Sequence, residues 1–140
     1  MLKILQIKKS AEFQKIGKKG EKFYSKTLLL LSLPTSQAYF PNLEQNKRAT
    51  DFCRVGYTVA KTVSKSAVVR NRAKRRLREA ARKLAPLHAK KYQDYVVIAR
   101  KEIIDADFDK ILNDLKFCLT RIHGIKPRSV VKNLSSSPKA

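Results

Sequence analysis

Between Ser66 and Leu84 the apolar residues Val69, Ala73, Leu77, Ala80 and Leu84 recur three or four positions apart. That is the spacing of one face of an α-helix. A second such run, Phe108, Ile111, Leu112, Leu115, Leu119 and Ile122, predicts a last helix, which Asp105 or Asp107 can cap. Near the start, Ser10 is a candidate N-cap for a short helix over Ala11 to Ile16, ended by Gly17 or Gly20. Residues 26–33 are a short apolar run and predict a buried strand. From Arg54 to Val59 the pattern alternates, with Val55, Tyr57 and Val59 on one side and Arg54, Gly56 and Thr58 on the other. This predicts a half-buried strand. Residues 92–100 are rich in β-branched and aromatic side chains and predict another strand. Residues 34–51, with Pro34, Pro41, Asn42 and Asn46, read as a long exposed connection. That connection or the first region can hold one more short strand. The order is helix, strands, helix, strand, helix, and the fold class is α+β in a single domain over residues 1–123. Residues 124–140 have no periodicity and are expected to be a disordered basic tail.

The 66–84 helix carries a second stripe. At about 100° per residue, Asn71, Lys74, Arg75, Arg78 and Arg82 fall within roughly 100° of one another, opposite the apolar face. Arg70, Arg72, Arg76 and Lys83 flank the apolar stripe, where their stems can lie along the core edge.

Charge gives that stripe its meaning. The 140 residues hold 32 Lys and Arg against 11 acids, a formal net charge of +21. Such self-repulsion opposes compaction and calls for a polyanionic partner. A membrane is the weakest candidate. The longest apolar runs, such as Leu28 to Leu31, fall far short of the ~20 residues that span a bilayer, and the N-terminus lacks an apolar stretch long enough for a secretory signal. A cytoplasmic protein is expected. Cys53 and Cys118 lie far apart without CxxC spacing and are expected to be reduced and partly buried.

An ordinary solvated helix face mixes charges of both signs, with Glu–Lys pairs four residues apart. Here residues 66–84 hold eight cations and one acid, Glu79. Lys74 with Arg78, and Arg78 with Arg82, are like-charged pairs that destabilise an isolated helix. Binding to phosphates offsets that cost. Six of the eight cations are Arg, whose planar guanidinium matches phosphate oxygens bidentately and stacks on exposed bases. Asn71 adds an amide that can donate and accept at once, suited to a 2′-hydroxyl or a base edge. The composition alone leaves open a DNA major groove.

An independent nuclease is a poor reading. His88 and His123 are the sole histidines, one near a helix end and one at the start of the tail, and both are expected at the surface. No Asp/Glu cluster points to a two-metal site. Asp105, Asp107 and Asp109 surround a helix start, where they favour the dipole.

The stretch Arg54-Val-Gly-Tyr-Thr-Val-Ala-Lys61, followed by Ala67-Val-Val-Arg70-Asn71-Arg72-Ala-Lys74-Arg75-Arg76-Leu-Arg78-Glu79, closely resembles the signature of the bacterial ribonuclease P protein family. Glu12-Phe13-Gln14-Lys15 and the strand Asp94 to Arg100 match that family in kind and order, and the similarity runs from about residue 8 to about 122. The resemblance implies an αβββαβα sandwich with a left-handed βαβ crossover, an exception to the usual hand. It implies that the helix bearing Arg70, Asn71, Arg72, Lys74, Arg75 and Arg78 docks on the catalytic ribonuclease P RNA, and Arg82, on the same stripe, is taken as a further RNA-binding residue. It also implies a cleft between the first helix and the sheet for the single-stranded 5′ leader of precursor tRNA, with Phe13 and Lys61 at matching positions. Hydrolysis and its Mg²⁺ would belong to the RNA, with no cofactor held by the protein itself. The family often has aromatics where Gly17 and Leu31 stand, and a second Lys where Thr62 stands. A structural RNA-binding protein of ribosomal type, without a role in cleavage, is the alternative.

Overall fold

The computed structural model describes residues 3–36 and 51–124. Five strands, β1 (Lys3–Gln6), β2 (Glu21–Tyr24), β3 (Leu28–Pro34), β4 (Phe52–Thr58) and β5 (Gln93–Ala99), form one sheet in the order β1-β4-β5-β3-β2. The helices are α1 (Ser10–Lys19), α2 (Ala67–His88) and α3 (Phe108–Gly124), with a 3-10 turn at Lys101–Ile103. The expected order of elements is therefore present, preceded by one further strand. β1 runs parallel to β4 and β4 parallel to β5, whereas β3 is antiparallel to both β5 and β2. Because β4 and β5 are parallel neighbours, the chain must cross over between them, and α2 supplies that crossover. The expected tail, beyond Gly124, and most of the 34–51 connection lie outside the described residues.

α2 and α3 cover one face of the sheet. Leu77, Ala80, Ile111 and Leu115 pack there with Leu28, Leu30, Val55, Tyr95 and Val97, all buried. α1 covers the other face, where Ile16 packs with Ile7, Leu31 and Val96. This second layer corrects the reading of β4 as half-buried. Arg54 and Gly56 are as enclosed as Val55 and Tyr57, because α1 lies over the side that alternation alone assigns to solvent.

The element ends follow from local chemistry. Lys9, not Ser10, is the N-cap of α1, and no side chain caps that end. Gly17 sits inside the helix and Gly20 closes it, its N–H donating to the Ile16 carbonyl at 2.8 Å. A Cβ on Gly20 would lie 2.6 Å from that carbonyl and 2.8 Å from the Ser32 carbonyl, so the close pass over β3 needs glycine. Ser66 caps α2 by accepting from the Val69 N–H at 3.2 Å. The helix then runs one turn beyond the predicted end at Leu84. Pro86, exposed in its last turn, forfeits a single bond there, and buried Ala85 keeps that turn on the core. Asp107 caps α3, accepting from the Lys110 N–H at 2.9 Å. Tyr92 adopts φ 61°, turning the chain into β5 one residue later than predicted.

Candidate nucleic-acid interface

The site begins with the way α2 is held. Its apolar stripe is buried from Ala73 to Ala85, so the opposite stripe must face outward. Asn71, Arg72, Arg75 and Arg82 are exposed, and Lys74 and Arg78 are half-buried. Arg75, Arg76, Arg78, Glu79 and Arg82 line a shallow groove closed at one side by Phe108. Within the described residues the only acid on this surface is Glu79, 2.9 Å from Arg82.

The seven helix residues singled out from the sequence are not equivalent. Arg70 turns back on its own loop, donating to the carbonyls of Ser64 at 2.9 Å and Lys65 at 3.0 Å. Two of its five donors are thereby engaged in shaping the loop before the helix. Arg82 is shared with Glu79. Arg78 lies over the ring of Tyr57, its guanidinium carbon 5.6 Å from the centroid. This contact orients the guanidinium without using its hydrogen bonds. Arg76, on the flank, donates to the Ala106 carbonyl and ties α2 to the start of α3. Within the described residues, Asn71, Arg72, Lys74 and Arg75 make no such contact and stand open as a row.

The predicted leader-binding residues lie elsewhere. Phe13 is on α1, across the sheet from α2, and its ring rests on Gly56 of β4. Lys61 is exposed in the turn after β4, closed by the Val63 N–H on the Ala60 carbonyl at 2.9 Å. The structure thus separates Phe13 from the cationic helix by the thickness of the sheet, and Lys61 sits on the loop that joins the two sides. Beyond α1 the same face continues as a row set by strand register: Tyr24 opposite Leu29, Leu29 opposite Ile98, Ile98 opposite Thr58. Leu29 and Ile98 are only partly buried, and Tyr24 is 59% exposed. The Arg100 guanidinium stacks 5.9 Å from the Tyr24 centroid. Gly17 belongs to the side of α1 opposite Glu12, and a Cβ there would meet nothing within 4 Å. This ledge was not legible in the sequence, since its members come from four strands.

Under α1 lies a buried ionic cluster. Arg54 and Asp94 are each 4% exposed. Arg54 donates to both carboxylate oxygens of Asp94, from Nε at 2.8 Å and Nη2 at 2.7 Å. The same Nη2 is 3.1 Å from Glu12 of α1, and the Thr35 hydroxyl donates to Asp94 at 2.8 Å. The Asp94 hydrogen bonds hold the guanidinium firmly charged. The cluster pins α1 to the sheet and so sets where Phe13 sits.

The remaining titratable groups are structural. Cys53 and Cys118 are free and buried, and burial pushes their thiols up to about 12 and about 11. Such thiols are unreactive. His123 is not a surface residue at the start of a tail. It is half-buried in the last turn of α3, hydrogen-bonded through Nε2 to the Tyr95 hydroxyl. That hydroxyl also accepts from the Lys90 N–H at 2.8 Å, which leaves its own proton free to point at Nε2 of a neutral imidazole. Burial, aided by Lys90, lowers the His123 pKa to about 4, in agreement. Among the described residues no group of three or more His, Cys, Asp or Glu side chains is placed to hold a metal ion. None of the described helices is long and apolar enough to cross a membrane.

Fold and site together define a small α+β protein that turns an arginine-rich helix outward and carries a second, part-apolar surface on the other face of its sheet. Residues 1–123 match the ribonuclease P protein family, and the chain belongs to it. It is 38% identical over 121 residues to the ribonuclease P protein component of Paramagnetospirillum magneticum, covering 86% of this chain and 84% of that one. The protein component of Thermoanaerobacter sp. is 36% identical over 114 residues, covering 81% and 85%. Among solved structures, the RNase P protein of Staphylococcus aureus superposes with a TM-score of 0.65 at 30% identity, over 84% of this chain and 94% of that one. The Thermotoga maritima protein, at 23% identity and a TM-score of 0.64 over 86% and 97% of the two chains, shares the fold.

Proposed function

We propose that this chain binds the catalytic RNA of ribonuclease P through α2 and holds the 5′ leader of precursor tRNA along the face of the sheet beside α1. The observation that carries the reading is the open row Asn71, Arg72, Lys74 and Arg75, extended by Arg78, on a helix whose one acid is already paired. Phosphates of a folded RNA would neutralise charges that otherwise repel one another four residues apart. On the other face, Phe13, Leu29, Ile98 and Tyr24 offer flat and apolar surface to unstacked bases, and Lys61 and Arg100 offer charge to the backbone. Such a surface binds single strands with little sequence preference. Cleavage and the Mg²⁺ that supports it are assigned to the RNA, and the protein lowers phosphate repulsion around substrate and ion.

The test is to add the chain to a bacterial ribonuclease P RNA at low Mg²⁺ and follow cleavage of a precursor tRNA. Stimulation of leader removal is expected. Tight RNA binding without stimulation would favour the structural RNA-binding alternative, and no binding would remove both.

A further inference from the structure

Between α2 and the edge strand β1 the structure opens a cleft of about 480 Å³. That lies within the roughly 300–1,000 Å³ of small-ligand sites. Its floor is apolar, with Ile4, Val55, Tyr57 and Pro86, and its rim carries the guanidinium groups of Arg78 and Arg82. Tyr57 is 9% exposed, yet its hydroxyl makes no hydrogen bond among the described residues. A buried tyrosine hydroxyl ordinarily finds a partner. This one lies in the field of both rim arginines, while burial raises its pKa to about 12 and keeps it a donor. Along one side runs the edge strand β1, with Ile4, Leu5 and Gln6. Lys3 and Ile7 direct their N–H groups to β4, at 2.9 Å and 3.0 Å from the carbonyls of Asp51 and Val55. By strand alternation, Ile4 and Gln6 turn theirs outward along the open edge of the sheet.

We propose that this cleft seats one unstacked nucleotide of the RNA that α2 binds, with its phosphate between Arg78 and Arg82 and its base on the Ile4–Val55–Pro86 floor. The inference rests on the RNA-binding reading above and adds a contact that reads a base. Three features fit a nucleotide, and the second and third select it over a simple anion. The phosphate oxygens accept from two guanidinium groups and from the Tyr57 hydroxyl, which has no partner among the described residues. The apolar floor takes a flat ring. The outward N–H and C=O groups of β1 offer one donor and one acceptor to a base edge. Arg78 belongs both to the cleft and to the row of α2, so a strand lying on the helix passes the mouth.

The experiment compares the full chain with Tyr57→Phe, Gln6→Trp and Arg75→Ala in binding to a bacterial ribonuclease P RNA over a range of salt. Tyr57→Phe removes only the hydroxyl, and Gln6→Trp fills the mouth from an exposed position. Tyr57→Phe is expected to weaken binding roughly tenfold, the scale of one lost hydrogen bond to a charged group. Gln6→Trp should weaken it by a similar factor, the scale of one lost base contact. The salt slope stays unchanged in Tyr57→Phe and flattens by about one unit at most in Gln6→Trp, which displaces a single phosphate. Free Tyr57→Phe should melt at the same or a higher temperature, since an unpartnered buried hydroxyl stabilises nothing. A merely structural tyrosine would not combine firmer folding with weaker binding. In a second arm, adenosine 5′-monophosphate should move the Tyr57 ring resonances at lower concentration than ribose 5-phosphate or inorganic phosphate. Equal effects of all three would reduce the cleft to an anion site and overturn the proposal. So would wild-type affinity in both cleft variants while Arg75→Ala still flattens the salt slope, an outcome that leaves the RNA-binding reading standing. A chain that does not bind the RNA removes both.

Discussion

The ring of Phe13 lies on the backbone of Gly56, so close that a β-carbon on that glycine would sit 2.6 Å from two of the ring carbons. Glycine at this point of β4 is what lets an aromatic from α1 pack against the backbone of the sheet. Gly56→Ala should therefore push the ring outward and tilt α1 without touching α2. The expected result is weaker binding of precursor tRNA carrying a leader, with affinity for the ribonuclease P RNA kept. Gel-shift titrations with both RNAs check it, and equal losses on the two would show that α1 does not act separately.

Arg54 and Asp94 form a bidentate pair with almost no access to water. Asp94→Ala leaves the buried guanidinium without its bidentate partner, opposite only the part-exposed Glu12, and should cost roughly 3–5 kcal/mol of stability. Replacing both partners by Met and Leu should cost much less, because the one charge left over, Glu12, reaches solvent. Urea unfolding of the two variants decides the matter, and a small loss in Asp94→Ala would mean that water reaches the pair.

The row on α2 makes a prediction about salt. If about five helix cations neutralise phosphates, log affinity against log salt should slope by roughly −3.5 to −4.5 on a structured RNA. Replacing Arg75 and Arg78 by Ala should flatten the slope by about one to two units. Arg70 behaves differently here, because two loop carbonyls already hold it. Arg70→Ala should leave the slope nearly as it was and lower affinity by loosening the loop before the helix. A slope unmoved by the double replacement would place the row in solvent.

His123 gives the fold a pH dependence of known sign. Its folded pKa, about 4, lies below the ordinary value of 6.5. Between those values the unfolded chain binds the extra proton, so the contribution is full above pH about 6.5 and is lost as pH falls toward 4. His123→Gln should flatten that limb of the stability curve, leaving the carboxylate contributions at lower pH. Thermal melts of both proteins from pH 4 to 7 provide the comparison, and parallel curves would show that the imidazole is not desolvated.

Periodicity in the sequence determined α2, α3 and the row of cations on α2, because a helix is closed by bonds between residues four apart and its faces can be counted along the chain. The strand alternation of β4 was equally legible, but its consequence was not. Whether Arg54 meets water depends on α1 lying over it and on Asp94, 40 residues away, arriving opposite. β1 was legible only as room for one more short strand in the first region, because the four residues Lys3 to Gln6 carry no pattern of their own and a parallel edge strand exists only through its partner, here Lys3 against Phe52. The same holds for the ledge of Tyr24, Leu29, Ile98 and Thr58, and for Tyr57 beneath Arg78. Local spacing specifies which side chains share a helix face, and only the folded sheet decides which distant ones become neighbours.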